Sequence, residues 1–234
     1  MIKTILFDLD GTLLPMEQEK FVKTYLDFLA EHIHQYGYDK QQFYGAVLQG
    51  IKAMVQNDGT KTNKQAFWQQ FGKTFPDYEK DLPHFDDFYE NHFDKVQPSC
   101  GYNPQSAKLV KTLKQMGYNL VLATNPLFPK TATQKRIKWA GLDESDFDLV
   151  TTFENSTFCK PNLQYYKQIL QKQNLNPSEC MMVGNDVGED MIAGELGLDV
   201  FLLVADLINR QNQDISVFAN GNMDDLLEYI KSKK

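Results

Sequence analysis

The chain has 234 residues, of which 42% are hydrophobic and 24% are charged, and its formal net charge is -7. This composition is that of a globular protein with one large core, or one core plus a smaller domain, and it excludes a largely disordered chain. The acidic balance argues against nucleic acid or an anionic membrane as a partner, because both require a basic surface.

The cysteines and the lengths of the apolar runs indicate the compartment of the protein. The three cysteines, Cys100, Cys159 and Cys180, are widely spaced and odd in number, which fits a reducing environment better than a disulfide framework. The first apolar run reaches Asp8 after too few residues for a signal peptide, and no other run approaches the roughly 18 that cross a bilayer. We therefore expect a cytoplasmic protein.

The first predicted element is a buried strand over residues 2–7, followed directly by Asp8, Asp10, Gly11 and Thr12. In an extended chain, side chains two residues apart point to the same side, roughly 6 to 7 Å from each other. Two carboxylates this close favour a divalent cation between them or one protonated acid, and both suit phosphoryl chemistry. The simpler alternative is an Asx turn in which the aspartates serve the backbone.

About ninety residues without a convincing strand come next, and they predict an inserted helical domain over residues 16–96. Gly37, the turn at 57–59 and Pro76 separate the predicted helices. We interpret the aromatic stripes mainly as packing core, with Phe21, Tyr25 and residues 49–52 facing the site. The insert or its edge also holds all four histidines, one of which could contact substrate, although surface or hydrogen-bonded roles are commoner: His32, His34, His84 and His92.

Four further strands are predicted at residues 119–123, 148–152, 180–183 and 200–204, separated by segments of helical length. The intervening helices include one over residues 105–116 and one opened by Pro161. Alternation of this kind predicts βαβ units. The expected fold is α/β, with a doubly wound, parallel, five-stranded Rossmann-like sheet formed by residues 1–15 and 97–234, and an inserted helical cap.

Chemically useful side chains follow each strand, where open α/β sheets bind ligands. Thr124 and Asn125 follow the second strand and offer a hydroxyl and backbone N–H groups for a phosphoryl oxygen. Lys160, beyond the third strand, could neutralise phosphate. Asp186 and Asp190 follow the fourth strand and could share one metal ion. Each feature alone has an ordinary alternative as a turn, a solvated lysine or a helix cap.

Taken in order, these features resemble the haloacid dehalogenase superfamily. Its four motifs match residues 8–12, Thr124, Lys160 and residues 184–190 of this chain. The resemblance covers the sheet domain, about two-thirds of the chain, and the insert directly after the first motif is similar to the first cap class of that family.

The resemblance implies a Mg²⁺-dependent phosphatase that hydrolyses a small phosphate monoester through an aspartyl-phosphate. Asp8 would be the nucleophile, and Asp10 would protonate the leaving group and then deprotonate water. By the same resemblance, Mg²⁺ is held by Asp8, the backbone carbonyl of Asp10 and Asp186, with Asp190 in support. The predicted phosphate-binding residues are Gly11, Thr124, Asn125 and Lys160.

Several alternatives stay open at this point. Family members often carry Gly-Asp directly in the fourth motif, whereas Asn185 intervenes here, so Asn185 and Glu189 could fill the roles given to Asp186 and Asp190. A phosphomutase uses the same core, and a phosphonate hydrolase needs a cap lysine, for which Lys52 is a candidate. A dehalogenase has no use for an acid at position 10. A binding protein without catalysis is the alternative from a different class, and the oligomeric state is not predicted.

Overall fold

The computed structural model describes residues 1–233. Its strands, in chain order, are β1 (Thr4–Phe7), β2 (Asn119–Leu122), β3 (Leu149–Val150), β4 (Cys180–Gly184), β5 (Asp199–Leu203) and β6 (Ala219–Gly221). Its α-helices are α1 (Gln18–His34), α2 (Lys40–Val55), α3 (Asn63–Phe71), α4 (Leu82–Asp87), α5 (Pro104–Gln115), α6 (Lys130–Trp139), α7 (Leu163–Lys172) and α8 (Met223–Ser232). A π-helical turn, Phe88–His92, follows α4, and the 3₁₀ segments are Tyr78–Asp81, Phe93–Ser99, Glu144–Asp146, Pro177–Glu179, Met191–Leu196 and Ile215–Val217.

The strands form one parallel sheet with the order β3-β2-β1-β4-β5-β6 over residues 1–233. This is the order of the doubly wound Rossmann fold, as the sequence predicts. The expected count of five strands is wrong by one, because β6 adds an edge strand. Its sequence, Ala-Asn-Gly, has no apolar run by which a strand is recognised.

Both faces of the central strands β1 and β4 are buried, as expected for parallel strands covered by helices. On one face, Leu6 and Met182 pack with Tyr165 and Ile169 of α7. The opposite face packs in a larger cluster that also contains Leu109 of α5. These helices hold the carboxyl ends of the strands in place from both sides.

Two predicted helices differ from the structure at their first residues. The helix predicted over residues 105–116 is α5, which begins one residue earlier at Pro104 with Asn103 as its N-cap. Pro161 does not open α7. Instead Asn162 caps it by accepting a hydrogen bond from the backbone N–H of Gln164, so the helix begins at Leu163.

The segment between β1 and α5 is helical, as predicted, and aromatic rings hold it together. Phe71 is completely buried and packs against Phe43, Phe85 and Trp68 at ring-centroid distances of 5.3 to 5.9 Å. Tyr25 of α1 lies 5.1 Å from the ring of Phe128, which belongs to the loop after β2. Within the described residues, none of the helices has the length and apolar character that a membrane span requires.

Candidate active site

The predicted site residues gather at the carboxyl end of the sheet, around its central strand. Phe7 of β1 pairs with Leu122 on one side and Val183 on the other. The chain then leaves the sheet at Asp8, whose backbone N–H donates to the Val183 carbonyl at 2.9 Å. The strand order reverses between β1 and β4, and this is the crevice in which open α/β sheets bind ligands.

A buried ion-pair network connects three of the predicted site residues. Nζ of Lys160 lies 2.8 Å from Oδ1 of Asp8 and 2.6 Å from Oδ1 of Asp190, and all three residues are buried. Burial lowers the pKa of Lys160, but the carboxylates of Asp190 and Asp8 outweigh it and hold that pKa well above its usual value. Lys160 is therefore cationic, and it orients the Asp8 carboxylate from one side.

Asp10 lies beside a second buried cation, which the sequence analysis did not identify. Oδ2 of Asp10 forms an ion pair with Arg136 of α6, whose side chain is fully buried over the ring of Phe128. Among the described residues, no hydrogen-bond partner reaches Asp10 Oδ1 or Arg136 Nε, although both atoms are buried. Burial raises the pKa of Asp10, and Arg136 opposes that rise.

The predicted phosphate-binding residues lie around this cluster and form different hydrogen bonds within the protein. The carbonyl of Thr124 accepts hydrogen bonds from Thr151 and Tyr165. Asn125 accepts from the backbone N–H of Lys160 at 3.3 Å. Gly11 has φ +83°, and its N–H already donates to the Leu14 carbonyl at 2.8 Å, so the structure uses Gly11 to form the turn.

The loop after β1 is joined to the loop after β4 by Thr12 and Asn185. The Thr12 hydroxyl lies 3.0 Å from Oδ1 of Asn185 and 3.3 Å from Oδ2 of Asp8. A Cβ on Gly11 would lie 2.3 Å from the Asn185 amide nitrogen, so only glycine permits this close approach. The amide of Asn185 in turn donates to the Asp206 carbonyl at 2.6 Å.

Asp186 and Asp190 bond to different partners and do not converge on one position. Oδ1 of Asp186 accepts the backbone N–H groups of Gly188 and Glu189, which caps the following turn, while its Oδ2 pairs with Arg210 at 2.6 Å. Asp190 bonds to Lys160 and to the N–H groups of Asn185 and Asp186. Glu189, the alternative to Asp190, accepts from Asn125 at 2.9 Å.

The donor chemistry at this end of the sheet fits a hard divalent cation. Asp8 Oδ2 and Asn185 Oδ1 both lie within reach of one hydroxyl, and oxygen ligands of this kind are those that Mg²⁺ prefers. In addition, among the described residues the carboxylates of Asp8 and Asp190 share one cation, Lys160. An anionic ligand would enter a cluster that already has excess negative charge, unless a cation accompanied it.

Arg136 is the main site residue that sequence reasoning missed. The stretch 135–138 reads as Lys-Arg-Ile-Lys, which suggests a solvated basic face. A usable signal was present in the spacing, because Ala132, Arg136 and Ala140 recur every four residues, and the structure buries all three. An arginine on the apolar stripe of a helix requires a buried partner, here Asp10.

Comparisons with known proteins identify the family of this chain. Residues 2–196 match the family model described as haloacid dehalogenase-like hydrolase. The pyrophosphatase PpaX of Bacillus cereus is 27% identical over 194 residues, which are 83% of this chain and 79% of that protein.

Solved structures are similar at the level of the fold. A 2-haloacid dehalogenase from Pseudomonas syringae has a TM-score of 0.64 at 15% identity, with each chain covered completely. The HAD-hydrolase YfnB from Bacillus subtilis, described as bound to magnesium, has a TM-score of 0.58 at 17% identity, with 98% of each chain covered. At these identities the likeness concerns the fold alone.

Proposed function

This chain belongs to the haloacid dehalogenase-like hydrolases, and we propose that it is a Mg²⁺-dependent phosphatase that acts on a small phosphate monoester through an aspartyl-phosphate. Asp8 is the nucleophile in this proposal, and Asp10 is the general acid and base. Lys160, Thr124 and the backbone near Asn125 hold the phosphoryl oxygens. The similarity to the pyrophosphatase PpaX also favours a phosphatase.

The observation that carries the proposal is the state of Asp10. Its Oδ1 is buried with no hydrogen-bond partner within residues 1–233, and burial raises its pKa. A carboxyl group in that state can keep a proton and deliver it to a leaving oxygen. Displacement of a halide needs no such acid, so Asp10 favours phosphate-ester hydrolysis over dehalogenation even though a dehalogenase shares the fold.

The chemistry of these residues divides into two displacements. In the first, an oxygen of Asp8 attacks phosphorus in line, the bond to the leaving oxygen breaks, and that oxygen takes the proton of Asp10. In the second, Asp10 removes a proton from water as the water attacks the phosphorus of the acyl phosphate, which releases phosphate and restores Asp8. Lys160 stays paired with Asp8 and Asp190, and its charge stabilises the equatorial oxygens.

Magnesium would be held by Asp8, the backbone carbonyl of Asp10 and an oxygen from the Asn185–Asp186 pair. The bound ion would offset the repulsion between Asp8 and a dianionic phosphate and orient the transferring group. Oδ1 of Asn185 and Oδ2 of Asp8 both lie within hydrogen-bond distance of the Thr12 hydroxyl. The carboxylate of Asp186, in contrast, accepts a backbone N–H of the following turn and pairs with Arg210. This arrangement favours Asn185 as the closer ligand and Asp190 as the residue that positions Lys160.

Residues 16–96 would act as the cap over this site, with residues 1–15 and 97–234 as the catalytic domain. Phe21 and Tyr25 of α1 pack on the ring of Phe128, which also lies under Arg136. The cap would therefore close beside the pair of Arg136 and Asp10. A closed cap excludes water and bulky polymers, which favours a small soluble substrate.

Two alternatives within the family keep the same core. A phosphomutase would return the phosphoryl group to its substrate, and a phosphonate hydrolase would use a cap lysine to form an imine. Lys52, the candidate for that lysine, lies on an exposed position of α2. No observation on Lys52 favours imine chemistry over an ordinary solvated role.

Steady-state hydrolysis of para-nitrophenyl phosphate, with added Mg²⁺ and with EDTA, tests the proposal. We expect turnover that requires Mg²⁺ and is lost in Asp8→Asn, while the surface control Asp27→Asn retains it. A panel of alkyl phosphates, pyrophosphate, a phosphonate and a 2-haloacid then ranks the classes. Faster release of halide than of phosphate, or turnover unaffected by Asp8→Asn, would contradict the proposal.

A further inference from the structure

Two histidines and one aspartate converge in the helical segment, away from the carboxyl end of the sheet. Nε2 of His32 lies 3.5 Å from Oδ2 of Asp87, and Nε2 of His92 lies 3.4 Å from the same oxygen. The three potential ligand atoms all lie within 4.8 Å of one another. Sequence spacing does not predict this cluster, because His32 is more than fifty residues from the other two.

The π-helical turn Phe88–His92 is what brings Asp87 and His92 together. In an α-helix, residues five apart point about 140° away from each other, since each residue turns by about 100°. Here the N–H of Phe93 bonds to the carbonyl of Phe88, which widens the turn by one residue and moves His92 back toward the side of Asp87. Single π turns of this kind occur frequently at functional sites.

The third residue, His32, is fixed by packing on α1. Its ring lies 5.6 Å from the ring of Phe88 and 4.8 Å from the ring of His92. Its side chain is 8% exposed, against 36% for His92 and 41% for Asp87. Nε2 of His32 also lies 3.0 Å from the carbonyl of His84, and a cation at this point would replace that hydrogen bond.

A cleft of about 430 Å³ opens over the cluster, with Phe28, Gln35 and Lys95 in its walls. An ion can therefore enter from solvent, and a water molecule can complete its coordination. A tetrahedral Zn²⁺ site can be formed by two imidazole nitrogens and one carboxylate oxygen, with the fourth position open to water. Mg²⁺ prefers oxygen ligands with octahedral geometry, so the two sites would select different ions.

We propose that His32, Asp87 and His92 form a second metal site, for a divalent transition-metal cation such as Zn²⁺, that links α1 to the π-helical turn. The proposal is independent of the reaction carried out at the sheet. Because the ligands come from two elements of the helical segment, a bound ion would stabilise the packing between those elements.

Calorimetric titration with Zn²⁺ in saturating Mg²⁺, which fills the oxygen site, tests the proposal on the full-length protein. We expect one equivalent of Zn²⁺ to bind the wild type, and His92→Gln to bind it roughly 10-fold or more weakly, as expected for a lost ligand. His34→Gln is the matched control, because His34 lies on the same helix and bonds to the Tyr38 carbonyl instead.

Co²⁺ provides a second readout that does not depend on activity. Tetrahedral Co²⁺ with imidazole ligands absorbs visible light far more strongly than octahedral Co²⁺ with oxygen ligands. We expect the strong bands in the wild type and in His34→Gln, and their loss in His92→Gln and Asp87→Asn. Equal Zn²⁺ affinity in the wild type and His92→Gln, or no Zn²⁺ binding once Mg²⁺ is present, would overturn the proposal.

Discussion

The carboxyl end of the sheet and the helical segment between β1 and α5 are stabilised in different ways. At the sheet, Asp8, Lys160 and Asp190 bury charges against one another, an arrangement that rarely improves stability over well-packed apolar residues. In the helical segment, rings such as those of Phe43 and Phe71 pack around one another. Isosteric substitutions at the sheet should therefore mainly change reaction rates, whereas truncation of the buried rings in the helical segment should mainly change stability.

At the sheet, we expect the largest change in reaction rate from Asp10→Asn, which removes the proposed acid but keeps the shape of the side chain. We expect kcat/KM, which reports the first displacement, to fall roughly 10² to 10⁴-fold for an alkyl phosphate. The fall in kcat/KM should be smaller for para-nitrophenyl phosphate, because its leaving group needs little help from an acid. Equal losses of kcat/KM for the two substrates, measured by steady-state kinetics, would separate Asp10 from protonation of the leaving group.

The corresponding change in the helical segment is Phe71→Ala. Phe71 is fully buried among aromatic neighbours, so we expect the free energy of unfolding to fall by about 3 to 5 kcal/mol. Leu48→Ala, at an exposed leucine of α2, should change it by less than about 0.5 kcal/mol. Urea denaturation measures both. A loss of reaction rate in Phe71→Ala at urea concentrations well below its unfolding midpoint would show that the helical segment also affects catalysis.

The two candidate ligands after β4 can be distinguished by Mg²⁺ affinity. Asn185→Leu removes the amide oxygen that shares Thr12 with Asp8, and we expect roughly 10- to 100-fold weaker activation by Mg²⁺. Asp186→Asn keeps an oxygen to cap the turn and should have the smaller effect. Titration of activity with Mg²⁺ measures both variants, and a larger loss in Asp186→Asn would assign the ion to Asp186.

The smallest expected effect is a change in pH dependence. Burial raises the pKa of Asp10, and Arg136 opposes that rise. Removing the opposing charge in Arg136→Met should therefore raise the pKa further, so Asp10 keeps its proton to higher pH. The alkaline limb of kcat/KM for an alkyl phosphate, which reports the free enzyme, should move upward. Arg136→Lys is the control that keeps the charge, and a downward shift in Arg136→Met would contradict the assignment.

The sequence predicted those parts of the fold and site that depend on local patterns. Apolar runs followed by polar residues located five strands, and the spacing of Asp8 and Asp10 identified the first motif. Lys160 was predicted only through its place in the motif order. The partnership of Lys160 with Asp190 depends on how β4 and the loop after β3 meet, which no local pattern encodes.

The features that the sequence did not predict arise from tertiary packing. Arg136 looks like a surface residue until α6 is placed against the loop after β1, where it meets Asp10. The cluster of His32, Asp87 and His92 requires a π turn, which differs from an α-helix by one added residue. β6 forms because β5 supplies a pairing edge, not because its own three residues favour a strand.

Identification of the phosphorylated residue is the decisive experiment for Asp8 as the nucleophile. The wild type and Asp10→Asn would be mixed with substrate and Mg²⁺, quenched in acid and digested for mass spectrometry. We predict one added phosphoryl group on the peptide that contains Asp8, more abundant in Asp10→Asn because that variant lacks the base for hydrolysis. The modification should be absent in Asp8→Asn. A phosphoryl group on any other residue, or turnover by Asp8→Asn at the wild-type rate, would rule out Asp8 as the nucleophile.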